Sequence, residues 1–231
     1  DNFLRPRIMK KVKKPFTVSF GVQSPSDIYA SDVRHHAGRL EFRINGRFPC
    51  ALRTFGYHHV YNALIAVSVG RIFGVEHDDI AAALDAFEFP KGRFRVVEVN
   101  NVTYIDDTYN ANPLSLAQAL HALDNYGVKG RKVFIMGDML ELGRYKESYH
   151  FEAGQKVAQT CDVFVAVGKL AGLAAQSCRN NGFSTGNIYV CDTSVQARQI
   201  LRDLIMPRKE DIVLVKGSRS MKMEEVLKDA V

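Results

Sequence analysis

Three features of the sequence predict an α/β fold with a doubly wound parallel sheet in its second part. After Lys91-Gly92 the chain alternates short apolar runs with helix-like stretches. Those runs are continuous rather than alternating, as in Lys132–Met136, Val163–Val167 and Ile212–Val215, which is the pattern of strands covered on both faces. Before residue 92 the strands alternate with period two and two helices follow, so a strand-rich first part precedes the α/β part. The expected division is 1–91 and 92–231.

In chain order, Phe16–Val22 and Asp27–Val33 read as strands. Arg39–Ile44 and Phe48–Leu52 flank Asn45-Gly46, a strong short hairpin signal. Val60–Phe73 spaces its apolar residues for one helical face and stops at Gly74. Asp78 or Asp79 is placed to cap a second helix that runs to Phe87 and closes at Pro90. A hairpin then pairs Val96–Val99 with Val102–Ile105 across Asn100-Asn101. Helices are expected over Pro113–Tyr126, Glu147–Gln159, Leu170–Cys178, from a Thr193 or Ser194 cap to Ile205, and over Met221–Asp229. Besides the three apolar runs above, Asn187–Val190 is the remaining strand, and no internal repeat is present.

Composition narrows the function classes. The chain has 231 residues, 46% hydrophobic and 24% charged, with a formal net charge of +6. These values belong to a globular chain with a real core. No apolar run approaches the roughly 20 residues of a membrane span. Most of the positive excess lies in the first hundred residues, notably Lys10-Lys11-Val12-Lys13-Lys14. Without interleaved aromatics that run reads as a solvated surface segment, and no nucleic-acid partner is expected. Cys50, Cys161, Cys178 and Cys191 form no C-x-x-C pair, which fits buried free thiols in a reducing cytoplasm. The opening Asp1-Asn2-Phe3-Leu4-Arg5 has neither an initiator Met nor an apolar signal core, so the natural start is expected upstream.

Four polar clusters sit where strands or helices end. His59 and Asn62, spaced i, i+3 in Gly56–Leu64, present an imidazole and an amide on one helix face, suited to a heterocycle or to capping. Arg93, in Lys91–Arg95, lies at the junction of the two parts, where an arginine clamps a phosphate or simply faces solvent. Asp106-Asp107-Thr108-Tyr109-Asn110-Ala111-Asn112 follows a strand and opens a helix. One Asn or Asp suffices for a cap; this surplus of polar groups at the ligand end of a parallel sheet points to a site. Lys216-Gly217-Ser218-Arg219 ends a strand with backbone N–H groups and two cations converging, as an anion site does or as a plain β–α turn does. Gly137–Gly143 is a related strand-end loop. His35-His36 is a weak metal candidate. Phosphate-loop, dinucleotide, serine-hydrolase and zincin fingerprints are all missing from these 231 residues.

Taken together, Asp107–Pro113, Gly137-Asp138-Met139-Leu140-Glu141-Leu142-Gly143 and Lys216–Met221 resemble the Mur ligase family, the ATP-dependent amide-forming enzymes of bacterial cell-wall synthesis. The likeness extends over essentially the whole chain. It is strongest to the branch that joins D-alanyl-D-alanine to UDP-N-acetylmuramoyl-tripeptide. The resemblance implies that 1–91 is the later part of a central ATPase domain and 92–231 a Rossmann-like C-terminal domain. It implies cofactors ATP and Mg²⁺, with the magnesium ligands and phosphate-loop lysine outside this sequence, so the chain by itself is expected to be inactive. It further implies a cytoplasmic, monomeric ligase. By position, His59, Asn62, Arg93 and Asp107 would contact ATP, His59 standing where the family motif has Asn. Tyr109, Asn110, Asn112, Lys216, Ser218 and Arg219 would line the substrate cleft. No complete catalytic set and no metal site is expected here. The Asp-Thr-Tyr-Asn-Ala-Asn-Pro stretch argues against a diamino-acid-adding relative or a folylpolyglutamate synthase. A non-catalytic nucleotide- or dipeptide-binding module is the alternative from another class.

Overall fold

A computed structural model describes residues 17–24, 26–36, 39–127, 129–228 and 230. The basic run Lys10–Lys14 lies outside the described residues. The chain divides into two compact units, Asp1–Glu88 and Phe89–Val231, and each is described by itself.

The first unit carries a four-stranded sheet in the order β1-β2-β3-β4. Its strands are β1 (Phe20–Val22), β2 (Ile28–His36), β3 (Arg39–Ile44) and β4 (Phe48–Leu52). β1 runs parallel to β2, whereas β2–β3 and β3–β4 are antiparallel. The expected first strand is shorter than its alternation suggested, because pairing to β2 begins only at Phe20↔Ile28. The Asn45-Gly46 turn forms as read, with φ of 50° and 70° and Ile44 opposite Phe48. Alternation sends Leu40, Phe42 and Ile44 to one face. They pack there with Val60, Ala63, Leu64 and Val67 of α1 (His59–Ile72) and Ile80 and Leu84 of α2 (His77–Ala86).

Two expectations change here. Helix α1 is apolar on more than one face: Ile65, Val69, Ile72 and the following Phe73 are exposed, Phe73 at 80%. Helix α2 begins two or three residues early, with Glu76 at its N-cap and no side-chain cap. Asp78 and Asp79 fall in the first turn instead, where they act on the helix dipole rather than on the free amides.

The second unit is a six-stranded sheet in the order β5-β6-β10-β7-β8-β9. The strands are β5 (Arg95–Val99), β6 (Val102–Asp107), β7 (Lys132–Gly137), β8 (Val163–Val167), β9 (Ile188–Cys191) and β10 (Ile212–Lys216). All neighbours are parallel except β5, which pairs back on β6. Asn100 and Asn101 make that two-residue turn with φ of 53° and 61°, the left-handed region asparagine tolerates. Helices α3 (Pro113–Asp124), α4 (Lys146–Thr160), α5 (Lys169–Asn180) and α6 (Ser194–Ile200) link the parallel strands. Asn112 caps α3 in a reciprocal box with Ser115, and Thr193 caps α6 in one with Gln196.

Alternate strand residues point to opposite faces. Val133, Ile135, Val165, Val213 and Val215 form one core with Ala197 and Leu201 of the α6 segment and with Met223, Val226 and Leu227. The last expected helix does not form. Two 3₁₀ turns, Arg219–Met221 and Met223–Val226, replace it. Lys222 between them is left-handed at φ 49°, which breaks the helical path while Met223 drops into the core. The helix expected to reach Ile205 is α-helical only to Ile200 and continues as a π-helical turn over Leu201–Ile205.

Candidate functional site

Strand β10 lies between β6 and β7, so the loops after these three strands meet at one edge of the sheet. In open parallel sheets this carboxyl edge, where the order of strands reverses, is the ligand-binding place. In sequence the loops after β6 and β10 are separate clusters. Pairing brings them together: Asp107 and Lys216 are register partners across the two parallel strands.

Lys216 is 2% exposed. Its Nζ donates to Asp107 Oδ2 at 2.6 Å and to the Asn110 carbonyl at 3.0 Å. Burial pushes the Asp107 carboxyl above the usual carboxylate range, while the Lys216 ammonium pulls against that shift. Asn110 turns its own side-chain oxygen back to the Ala111 amide at 2.8 Å. Asn112 spends its Oδ1 on the Ser115 amide at 2.9 Å, which closes the α3 cap.

The preceding acid, Asp106, has a different task. Its carboxylate is buried and accepts the Gly92 amide at 2.8 Å and the Thr108 hydroxyl at 2.6 Å. The Gly92 carbonyl in turn accepts the Tyr109 amide at 3.0 Å. Gly92 has φ +77°, and a Cβ there would approach the Tyr109 amide nitrogen to 3.1 Å. Glycine is therefore required by both conformation and space. This lacing sets the Arg93 guanidinium 3.7 Å from the centre of the Tyr109 ring, a cation–π geometry. Tyr109 itself is 46% exposed, so the stacked pair stands at the surface of the site.

The β10 loop is knitted to the β7 loop. Ser218 is buried. Its amide donates to the Asp138 carbonyl at 3.1 Å, and its Oγ accepts the Leu140 amide at 2.8 Å. Asp138 Oδ1 accepts the Ala171 amide at 2.7 Å, so a carboxylate from β7's end fills the N-terminus of α5. Arg219 is exposed and paired with Glu224 at 2.8 Å. Both cations of the expected anion cluster thus already hold a carboxylate partner.

His59 and Asn62 lie in the first unit and face each other. Asn62 Nδ2 stands 3.2 Å from His59 Nδ1, so the amide donates and the ring accepts there. Burial, helped by the neighbouring His58, lowers His59 to a pKa of about 3 and keeps it neutral. Arg93, Asp107, Tyr109, Asn110, Asn112, Lys216, Ser218 and Arg219 all belong to the second unit. Asp106, Asp138 and His150 take structural roles that their local sequence does not mark. Asp106 carried a signal of polarity alone, being the first acid of a surplus. His150 carried none, since one histidine inside a helix has no local pattern. Among the described residues no group of three or more His, Cys, Asp and Glu is placed to hold a metal ion. No described helix is long and apolar enough to cross a membrane.

Residues 92–219 match the family described as Mur ligase, glutamate ligase domain. The chain is 28% identical over 218 residues to the UDP-N-acetylmuramoyl-tripeptide–D-alanyl-D-alanine ligase of Bacillus subtilis, covering 93% of this chain and 47% of that protein. The crystal structure of MurF ligase from Thermotoga maritima in complex with ADP superposes with TM-score 0.79 at 26% identity, covering 96% of this chain and 50% of that one. A crystal structure of MurF from Acinetobacter baumannii gives TM-score 0.78 at 30% identity, over 92% of this chain and 46% of that one. The chain spans about half the length of the curated relatives it matches.

Proposed function

The chain belongs to the Mur ligase family, and from that premise we propose that it forms part of a cytoplasmic, ADP-forming ligase that joins D-alanyl-D-alanine to UDP-N-acetylmuramoyl-tripeptide. In this reading Asp1–Lys91 is the later part of the ATPase domain and Gly92–Val231 the domain that receives the incoming dipeptide. ATP phosphorylates the tripeptide carboxylate, and ADP leaves. The dipeptide amine then attacks the acyl phosphate carbon, the C–O bond to phosphate breaks, and the amine loses a proton as the amide forms.

The observation that carries the reading is the polar edge where β6 and β10 pair. It presents a stacked, exposed arginine beside a buried Asp107–Lys216 pair and the Asn110–Asn112 turn. Arg93, held on Tyr109, would place positive charge on the nucleotide phosphates. Asp107, kept in register by Lys216, would accept from the ribose hydroxyls. His59 and Asn62 offer a neutral imidazole and an amide to adenine. Asn110, Asn112, Ser218 and Arg219 would bound the dipeptide end, with Lys216 fixing the turn beneath them. Among the described residues no group of three or more His, Cys, Asp and Glu is placed to hold magnesium.

Calorimetric titration of ADP tests the assignment. Arg93→Ala should weaken binding about tenfold or more, the loss expected for one charge-assisted contact. Equal affinities would remove Arg93 from the phosphate role. In the full-length protein, phosphate release should require both D-alanyl-D-alanine and the tripeptide nucleotide. Tight binding of both ligands with no turnover there would favour the non-catalytic module.

A further inference from the structure

The Gly137–Gly143 loop is held from below by a histidine that the ligase reading leaves unassigned. His150 is 0% exposed, in the second turn of α4. Its Nε2 lies 2.9 Å from the Met139 amide nitrogen. An amide can only donate, so Nε2 accepts and the ring proton sits on Nδ1. That proton points to the Lys146 carbonyl, 2.5 Å away. Both ring nitrogens are thus committed, one to the loop and one to the first turn of the helix. Burial lowers the pKa of His150 and favours this neutral form.

The next amide along the loop is also held by a side chain, since Leu140 N–H donates to Ser218 Oγ. Two successive amides are therefore bound by two different elements. Met139 is buried at 0%, whereas Leu140 is 37% exposed and Glu141 is exposed with a left-handed φ of 63°. The loop consequently offers one apolar and one carboxylate side chain at the end of β7, beside Ser218. A zwitterion with a small apolar body needs such a pair: a carboxylate for its ammonium group and an apolar contact for its methyl.

We propose that His150 is a positioning residue for the incoming dipeptide: by binding the Met139 amide it fixes the loop that presents Leu140 and Glu141 to the substrate. The proposal rests on the ligase reading above. It concerns the dipeptide end of the site and not the nucleotide end, where Arg93 and Tyr109 stand.

The test compares the wild-type full-length protein with His150→Leu, which removes the acceptor, and His150→Gln, whose Oε1 can accept from the same amide. Amide exchange at Met139 and binding of D-alanyl-D-alanine and of ADP are measured on each. His150→Leu should speed Met139 exchange by about tenfold or more and weaken the dipeptide about tenfold, with ADP affinity and the protection of Val165 in β8 unchanged. His150→Gln should restore both. If His150→Leu does not fold, His150→Asn replaces it, its side chain being too short to reach Met139. Faster exchange with unaltered dipeptide affinity would make the contact merely structural and overturn the proposal. Equal losses for dipeptide and ADP would do so as well. Failure of the wild-type full-length protein to bind the dipeptide at all would instead strike the ligase reading, and this proposal with it.

Discussion

Replacing Lys216 by Met keeps most of the side-chain volume and removes the ammonium. In the native chain that ammonium is buried with two acceptors, Asp107 Oδ2 at 2.6 Å and the Asn110 carbonyl at 3.0 Å. Asp107 is itself only 15% exposed in its side chain, so the lone carboxylate cannot turn fully to water. Breaking a buried pair from one side costs about 3–5 kcal/mol. The sign of the pH dependence follows from Asp107. Its carboxyl is already raised in the folded state by burial, and Lys216 is the main influence opposing that rise. Without Lys216 the folded carboxyl binds its proton more tightly than the unfolded one does. Stability then falls as pH rises from the unfolded value through the folded one. The deficit of Lys216→Met should therefore be largest near pH 8 and shrink towards pH 5. Adding Asp107→Asn removes the stranded charge and should recover at least half of the loss at pH 8. Protection factors of the Leu214 and Val215 amides in β10 report the second unit directly. A loss of about 3 kcal/mol lowers them roughly a hundredfold. A deficit under about 1 kcal/mol at pH 8, one independent of pH, or a double variant no more stable than the single one would refute the argument.

The chain should also lose stability in acid through His59. Its unfolded value near 6.5 falls to about 3 on folding, so the unfolded chain binds the extra proton and stability drops as pH falls below 6.5. The loss reaches about 2 kcal/mol at pH 5, read from β3 amide protection. His59→Phe should flatten that profile, and an unchanged slope would exclude His59 as its source. Gly217→Ala should destabilise the second unit by about 1–3 kcal/mol. Its Cβ would stand 2.6 Å from Met223 Cγ and 3.0 Å from Gly137 Cα. Denaturant unfolding checks this, and a neutral result would mean that the β7–β10 crossing is looser than the structure has it.

Much of the local structure was legible because it depends on residues within one turn or one strand. Asn45-Gly46 and Asn100-Asn101 announce left-handed turns by their chemistry, and both form. Asn112-Pro113 marks a helix start, with the cap on Asn112 as the box shows. Continuous runs such as Val163–Val167 and Ile212–Val215 announce burial on both faces, and every residue in them is buried. The failures are local patterns overruled by packing. Met221–Asp229 has helical spacing, yet Lys222 turns left-handed so that Met223 and Val226 reach the core. Val60–Phe73 has a readable inner face, but nothing in its spacing marked the outer one as apolar too.

The pairing of Lys216 with Asp107 across 109 positions of the chain belongs to the tertiary structure alone. Either residue in its own cluster is a polar group after a strand. Only the return of β10 between β6 and β7 makes them partners and buries the charge. The same holds for Asp106 with Gly92, Asp138 with Ala171, and His150 with Met139. Backbone propensity and hydrophobic period act over a few residues, so the sequence by itself determined the elements, their order and the polar character of their ends. Which ends meet is set by strand order, through the burial and hydrogen bonding that the whole sheet satisfies at once. The candidate site is a property of that meeting.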